Sequence, residues 1–173
     1  MVSNLKNLKI YKMFDNVTTP TFASKGSACF DLYAYVHKEH SITAFNDAGS
    51  KKIPKQIKND GMVVVYPNER VLIPTGIIMD IPVRHSVRLH ARSGNAFKKG
   101  LTLANGEGII DNDYVEEVMC MMHNISDMNV IINNGDRLCQ GELVEDLVYE
   151  IDEIDDRPKP KTDREGGFGS TGE

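Results

Sequence analysis

The residues best suited to chemistry gather in short segments, and the densest is Asn105-Gly106-Glu107-Gly108-Ile109-Ile110-Asp111-Asn112-Asp113-Tyr114. Its Asn and two glycines before an apolar pair read as a hairpin that presents backbone amides outward. Asp111 and Asp113 flank Asn112, so in an extended chain they point to one side. Carboxylates so placed either do chemistry or sit solvated in a turn, and spacing alone leaves both open. A calcium-loop match fails, because the EF-hand spacing with its later Glu is absent. Ala91-Arg92-Ser93-Gly94 follows a clear strand and precedes a short helix. Such a junction offers donors and positive potential to a phosphate, or is simply an N-cap. Near the C-terminus, Arg164-Glu165-Gly166-Gly167-Phe168-Gly169-Ser170-Thr171-Gly172 joins a planar cation and a lone aromatic to amides that glycine leaves accessible. That composition serves a flexible linker, or an arm that closes over a nucleotide. The five histidines form no metal motif. His85 and His90 fall on opposite faces of one strand, and no zinc-hydrolase, Ser-His-Asp or P-loop pattern occurs.

These segments need elements to hold them. The 173 residues fit one domain, and 40% hydrophobic with 26% charged residues is ordinary for a globular chain. A net charge of −5 argues against nucleic acid as a partner, though local cations can still hold a nucleotide. Cys29, Cys120 and Cys139 lie far apart among apolar neighbours and read as small buried hydrophobes in a reducing compartment. With no signal-like N-terminus and no stretch long enough to cross a bilayer, an intracellular protein with no membrane partner is expected.

The dominant sequence period is two. Strands are expected at Leu8–Tyr11, Met62–Tyr66, Arg70–Ile73, Gly76–Ile81, Val87–His90, Val118–Met122, Asn129–Ile132 and Arg137–Val148, the last broken near Gly141. Turn signals at Asn59-Asp60-Gly61, Pro67-Asn68-Glu69 and Asn133–Asp136 separate them, and one short helix fits Asn95–Lys99. This pattern makes an all-β barrel or jelly roll over residues 1–151, followed by a C-terminal arm over 152–173. Phe45–Asn59 has little periodicity and reads as a surface loop or extended hairpin. It is either a tolerated insertion or a surface for a protein partner.

Taken in order, the segments resemble the five motifs of the homotrimeric dUTPase family. They are Gly26–Leu32, Arg92–Gly94, Asn105–Tyr114, Gly135–Gln140 and Arg164–Gly172. The resemblance implies a β-clip, or distorted jelly roll, assembled as a homotrimer whose sites each draw residues from three chains. It implies hydrolysis of dUTP to dUMP and pyrophosphate, limiting uracil incorporation into DNA. By the same resemblance, Asn105, Gly108 and Ile110 belong to the uracil-reading hairpin and Tyr114 lies under the deoxyribose. Arg92, Ser93, Gly94 and Gln140 hold the phosphate chain. Arg164, Gly169, Ser170 and Thr171 belong to the closing arm, whose Phe168 stacks on uracil. Asp111 orients the attacking water, and Asp31 meets Mg²⁺ through metal-bound waters. This sequence departs from the family in having Cys29 and Glu116 at usual Gly positions and one residue fewer between Arg164 and Phe168. The rivals on the same fold are a dCTP deaminase, a bifunctional deaminase–dUTPase, and a regulatory protein acting through the 45–59 insertion.

Overall fold

Alternating burial along short β-branched runs builds the fold. In the computed structural model, which describes residues 6–46, 52–58 and 61–163, Val71 and Ile73 turn inward while Arg70 and Leu72 stay half-exposed. The strands are β1 (Lys9–Lys12), β2 (Thr21–Phe22), β3 (Phe30–Tyr33), β4 (Ile42–Phe45), β5 (Lys52–Lys55), β6 (Met62–Val65), β7 (Arg70–Pro74), β8 (Ile77–Asp80) and β9 (His85–Ala91). After the helix α1 (Ser93–Lys99) come β10 (Leu101–Leu103), β11 (Gly108–Ile110), β12 (Met119–Asn124), β13 (Val130–Asn133) and β14 (Arg137–Glu145).

Among the described residues these strands form two antiparallel five-stranded sheets, ordered β10-β12-β7-β4-β5 and β11-β9-β14-β3-β2. Two-stranded ladders, β1-β8 and β13-β6, complete the all-β architecture expected from the period-two pattern. Leu32 and Leu138 from one sheet, and Ile73 and Met122 from the other, share one fully buried core with Val63, Val65, Ile77 and Met79. No described helix is long and apolar enough to cross a membrane.

The structure corrects several expectations. β14 runs unbroken through Gly141, because the missing side chain leaves room for the Phe30 ring opposite it in the ladder. It ends at Glu145, short of Val148. The segment 104–107 is no simple hairpin. β10 pairs with β12 and β11 pairs with β9, so this turn carries the chain from one sheet to the other. Cys120 and Cys139 are buried with sulfurs 3.3 Å apart, but Cys29 is half-exposed.

Within the 45–59 region, β4 and β5 form an antiparallel pair from Ile42↔Lys55 to Phe45↔Lys52. Lys55 Nζ lies 2.6 Å from Glu69 Oε2, with both side chains more than nine-tenths buried, at 6% and 7% exposure. Glu69 also accepts the Tyr66 N–H at 2.8 Å, and the Lys55 ammonium stands 4.2 Å from the centre of the Tyr66 ring. The Ile42–Lys55 end of this pair is thereby fastened to the body of the fold.

Candidate active site

The sheet β11-β9-β14-β3-β2 positions most of the candidate residues. Asp31 on β3 stands in register with Gln140 on β14, and Gln140 with His90 on β9. Cross-strand partners put their side chains on one face. Arg92 follows directly after β9 at the N-cap of α1, with extended backbone angles of −81° and 127°. Its side chain makes no capping bond. Instead, Arg92 Nε donates to Asp31 Oδ1 at 2.9 Å.

A second guanidinium meets the same carboxylate, as Arg137 Nη1 donates to Asp31 Oδ2 at 3.3 Å. Asp31 is thus buried, with 4% of its side chain exposed, between an Arg92 at 21% and an Arg137 at 49%. A carboxylate so enclosed holds Arg92 in a fixed orientation and draws Arg137 beside it, which suits both to phosphate oxygens. Arg137 was not singled out from the sequence. Its place three residues before Gln140 in the Gly135–Gln140 segment was the available signal.

The helix start is held from below. Asn95, buried in the first turn, donates through Nδ2 to the carbonyls of Arg137 and Leu138 at 2.8 and 3.1 Å. Ser93 and Gly94 stay exposed just after Arg92, and the first-turn N–H groups of a helix lack partners within it. Asp31, Arg92, Ser93, Gly94, Arg137 and Gln140 therefore form one polar corner. α1 closes on Gly100, whose left-handed φ of 63° lets its N–H bond back to Ala96.

The Asn105–Tyr114 residues stand elsewhere. β11 pairs with β9 from Gly108↔Leu89 to Ile110↔Val87 at the sheet edge. Gly108 is buried, and a Cβ on it would come within 3.0 Å of the Leu89 side chain. Asn105 is exposed in the preceding turn, where Gly106 takes a φ of +73°. After Ile110 the chain turns at once, with Tyr114 N–H bonding the Asp111 carbonyl at 3.1 Å. Asp111 and Asp113 are thus not arranged as alternate residues of an extended strand. The Asp111 carboxylate is exposed and has no partner among the described residues. Tyr114 is 40% exposed, its hydroxyl donating to the Glu117 carbonyl at 2.9 Å. Arg164, Phe168, Gly169, Ser170 and Thr171 lie outside the described residues.

This geometry meets a match to the dUTPase family model over residues 56–172. The chain belongs to the dUTPase family. A deoxyuridine 5'-triphosphate nucleotidohydrolase of Hydrogenobaculum sp. is 33% identical over 95% of this chain and 97% of its own. One of Brucella melitensis biotype 2 is 36% identical over 88% and 98%. Solved dUTPases share the fold at lower identity. A variant of the Staphylococcus bacteriophage 80alpha enzyme with dUpNHpp is 18% identical with a TM-score of 0.73, covering 97% of this chain and 99% of that one. The Streptococcus mutans dUTPase is 22% identical with a TM-score of 0.62, over 84% and 99%. A variant from phage phi11 of S. aureus, described as coordinating a structural Mg(II) ion, is 18% identical with a TM-score of 0.67, over 89% and 100%.

Proposed function

We propose that this dUTPase family member hydrolyses dUTP to dUMP and pyrophosphate, with the Asp111 carboxylate accepting a proton from the water that attacks the α-phosphorus. Family membership across residues 56–172 carries the reaction and the substrate. The exposed carboxylate of Asp111, without a partner among the described residues, supports its role, because a base must have an uncommitted lone pair for the water it orients. Arg92 and Arg137, held on Asp31, would meet phosphate oxygens together with Gln140 and the N–H groups of Ser93 and Gly94. Asn105, Gly108 and Ile110 would receive uracil and Tyr114 the deoxyribose. Arg164, Phe168, Gly169, Ser170 and Thr171 would close on the nucleotide.

The donor chemistry at Asp31 fits an outer-shell contact with Mg²⁺. Each carboxylate oxygen already accepts one guanidinium bond and has a second lone pair for a metal-bound water. Two arginines around one aspartate leave the locus at a net charge of +1, so a bare cation gains little there. The ion would arrive on the triphosphate, where it neutralises charge developing on the phosphates. Asp31 would accept bonds from its waters while keeping the arginines in place.

Spacing supports a site shared between chains of a homotrimer. Ile110 pairs with Val87, whereas Arg92 comes just after Ala91 at the other end of β9. Four residues of strand put these positions about 13 Å apart. Phosphate-holding residues of one copy meeting Asp111 of another is the simpler way to surround one nucleotide. The segment after β14 also leaves Leu147, Val148, Tyr149 and Ile151 exposed at 86, 74, 77 and 90%. So much apolar surface in one stretch fits burial against a second copy. Pyrophosphate release from dUTP, dTTP, UTP and dCTP, each with and without Mg²⁺, tests the reading. Selective Mg²⁺-dependent turnover of dUTP is expected, and ammonia release from dCTP would overturn it.

A further inference from the structure

A second constellation lies next to the polar corner and takes no part in the proposed reaction. Cys29 precedes β3, His90 sits on β9 and Glu142 on β14. One ligand-capable atom from each lies within 4.8 Å of the others, and all three residues are half-buried. The ladder explains the meeting. β14 runs between β9 and β3, Gln140 pairs with His90 and Gly141 with Phe30, so Glu142 comes level with Cys29 just beyond Phe30.

His90 is held at Nε2, with a second carboxylate near Nδ1. Nε2 faces Glu142 Oε2 at 3.3 Å and Nδ1 faces Glu107 Oε1 at 3.6 Å. The Nε2 contact is a hydrogen bond whose donor depends on the tautomer, and Glu107 stands just beyond hydrogen-bond distance, placed to take an Nδ1 proton once a metal claims the Nε2 lone pair. A carboxylate behind a ligating histidine sets its tautomer when that hydrogen bond closes. We propose that Cys29, His90 and Glu142 bind a Zn²⁺ ion, with Glu107 positioning His90 and a water completing a tetrahedron, at a site separate from the nucleotide's Mg²⁺.

Thiolate, imidazole and carboxylate are the donor types zinc takes, and Mg²⁺ does not favour the first two. Tetrahedral bonds of about 2.0–2.3 Å require donors about 3.3–3.8 Å apart, so the donors need to close by no more than about 1.5 Å. On binding, the Cys29 thiol loses its proton to solvent as the Zn–S bond forms, His90 binds neutral and Glu142 as carboxylate. No oxidation is involved. Without metal, burial and then the Glu142 charge push the Cys29 thiol up, so it is protonated before the ion arrives. The other thiols are poor competitors. Cys120 is held well above its ordinary range by its contact with Cys139 and by burial.

Titration of the full-length, chelator-stripped protein with Co²⁺, followed by Zn²⁺ competition, tests the site. One equivalent per chain should produce a thiolate-to-cobalt charge-transfer band with tetrahedral ligand-field bands, and Zn²⁺ should abolish both. Cys29→Ser and Cys29→Gly should each remove the charge-transfer band, with far-ultraviolet circular dichroism confirming the fold. Glu107→Gln should weaken Co²⁺ binding about 10–100-fold while keeping the band. A missing band in the unmodified protein, or one that survives both Cys29 variants, overturns the proposal.

Discussion

Replacing Asp31 by Asn separates its hold on the arginines from any contact with metal-bound water. The change keeps side-chain shape but removes the charge that two guanidinium groups share. The Arg92 bond, at 2.9 Å with side chains 21% and 4% exposed, is the substantial one. A hydrogen bond to a charged group contributes about 1.5–3 kcal/mol. Arg137 adds about 0–1 kcal/mol, since its side chain is 49% exposed and its contact is 3.3 Å long. An amide nitrogen would also face one guanidinium donor to donor. The expected loss is therefore about 2–4 kcal/mol in urea unfolding at fixed protein concentration. If Arg92 carries the same energy to the transition state, kcat/KM should fall roughly 10–150-fold at saturating Mg²⁺. A variant with an unchanged urea midpoint, whose activity returns as Mg²⁺ is raised, would refute this. Asp31 would then act through the metal alone.

The remaining expectations concern separate parts of the fold. Asp111→Asn should lower kcat by about 10²–10⁴-fold with little change in KM, measured by pyrophosphate release; normal turnover would remove Asp111 from the chemistry. Lys55→Met should cost about 3–5 kcal/mol of stability by leaving the Glu69 carboxylate buried without its cation, and adding Glu69→Gln should restore part of it. Chemical denaturation of both variants checks this, and equal losses would mean the pair is uncoupled. Gly141→Ala should destabilise by about 1–3 kcal/mol because its methyl meets the Phe30 ring, and Phe30→Leu in the same chain should relieve it. An unchanged thermal midpoint for Gly141→Ala would contradict that close approach.

The parts legible in the sequence were those whose cause is local. Strands with one face inward, such as β7, announce themselves by alternation. β3 does not, because Phe30, Asp31 and Leu32 are all buried and nothing distinguishes its faces. β5 was submerged in a polar run, since Lys55 is buried only by virtue of Glu69. The order of five short motifs marked most candidate site residues. It could not show that Asp31 is gripped by Arg137, 106 positions along the chain. The local turn at Asp111–Tyr114 replaced the expected extended arrangement because the Tyr114 N–H closes on the Asp111 carbonyl. The Cys29–His90–Glu142 cluster has no spacing signature, as its members meet only through sheet order.

The pair of hydrogen bonds that Asn95 donates to the carbonyls of Arg137 and Leu138 has a kinetic consequence. For the turn bearing Arg92 to swing away from β14, a buried amide would lose its acceptors at about 1–3 kcal/mol. The swung-out form would then hold roughly a sixth of the molecules at the lenient end and under a hundredth at the other. An arriving triphosphate therefore finds the arginine in position at most encounters. Its capture at this corner should be governed by collision frequency rather than by waiting for a rearrangement.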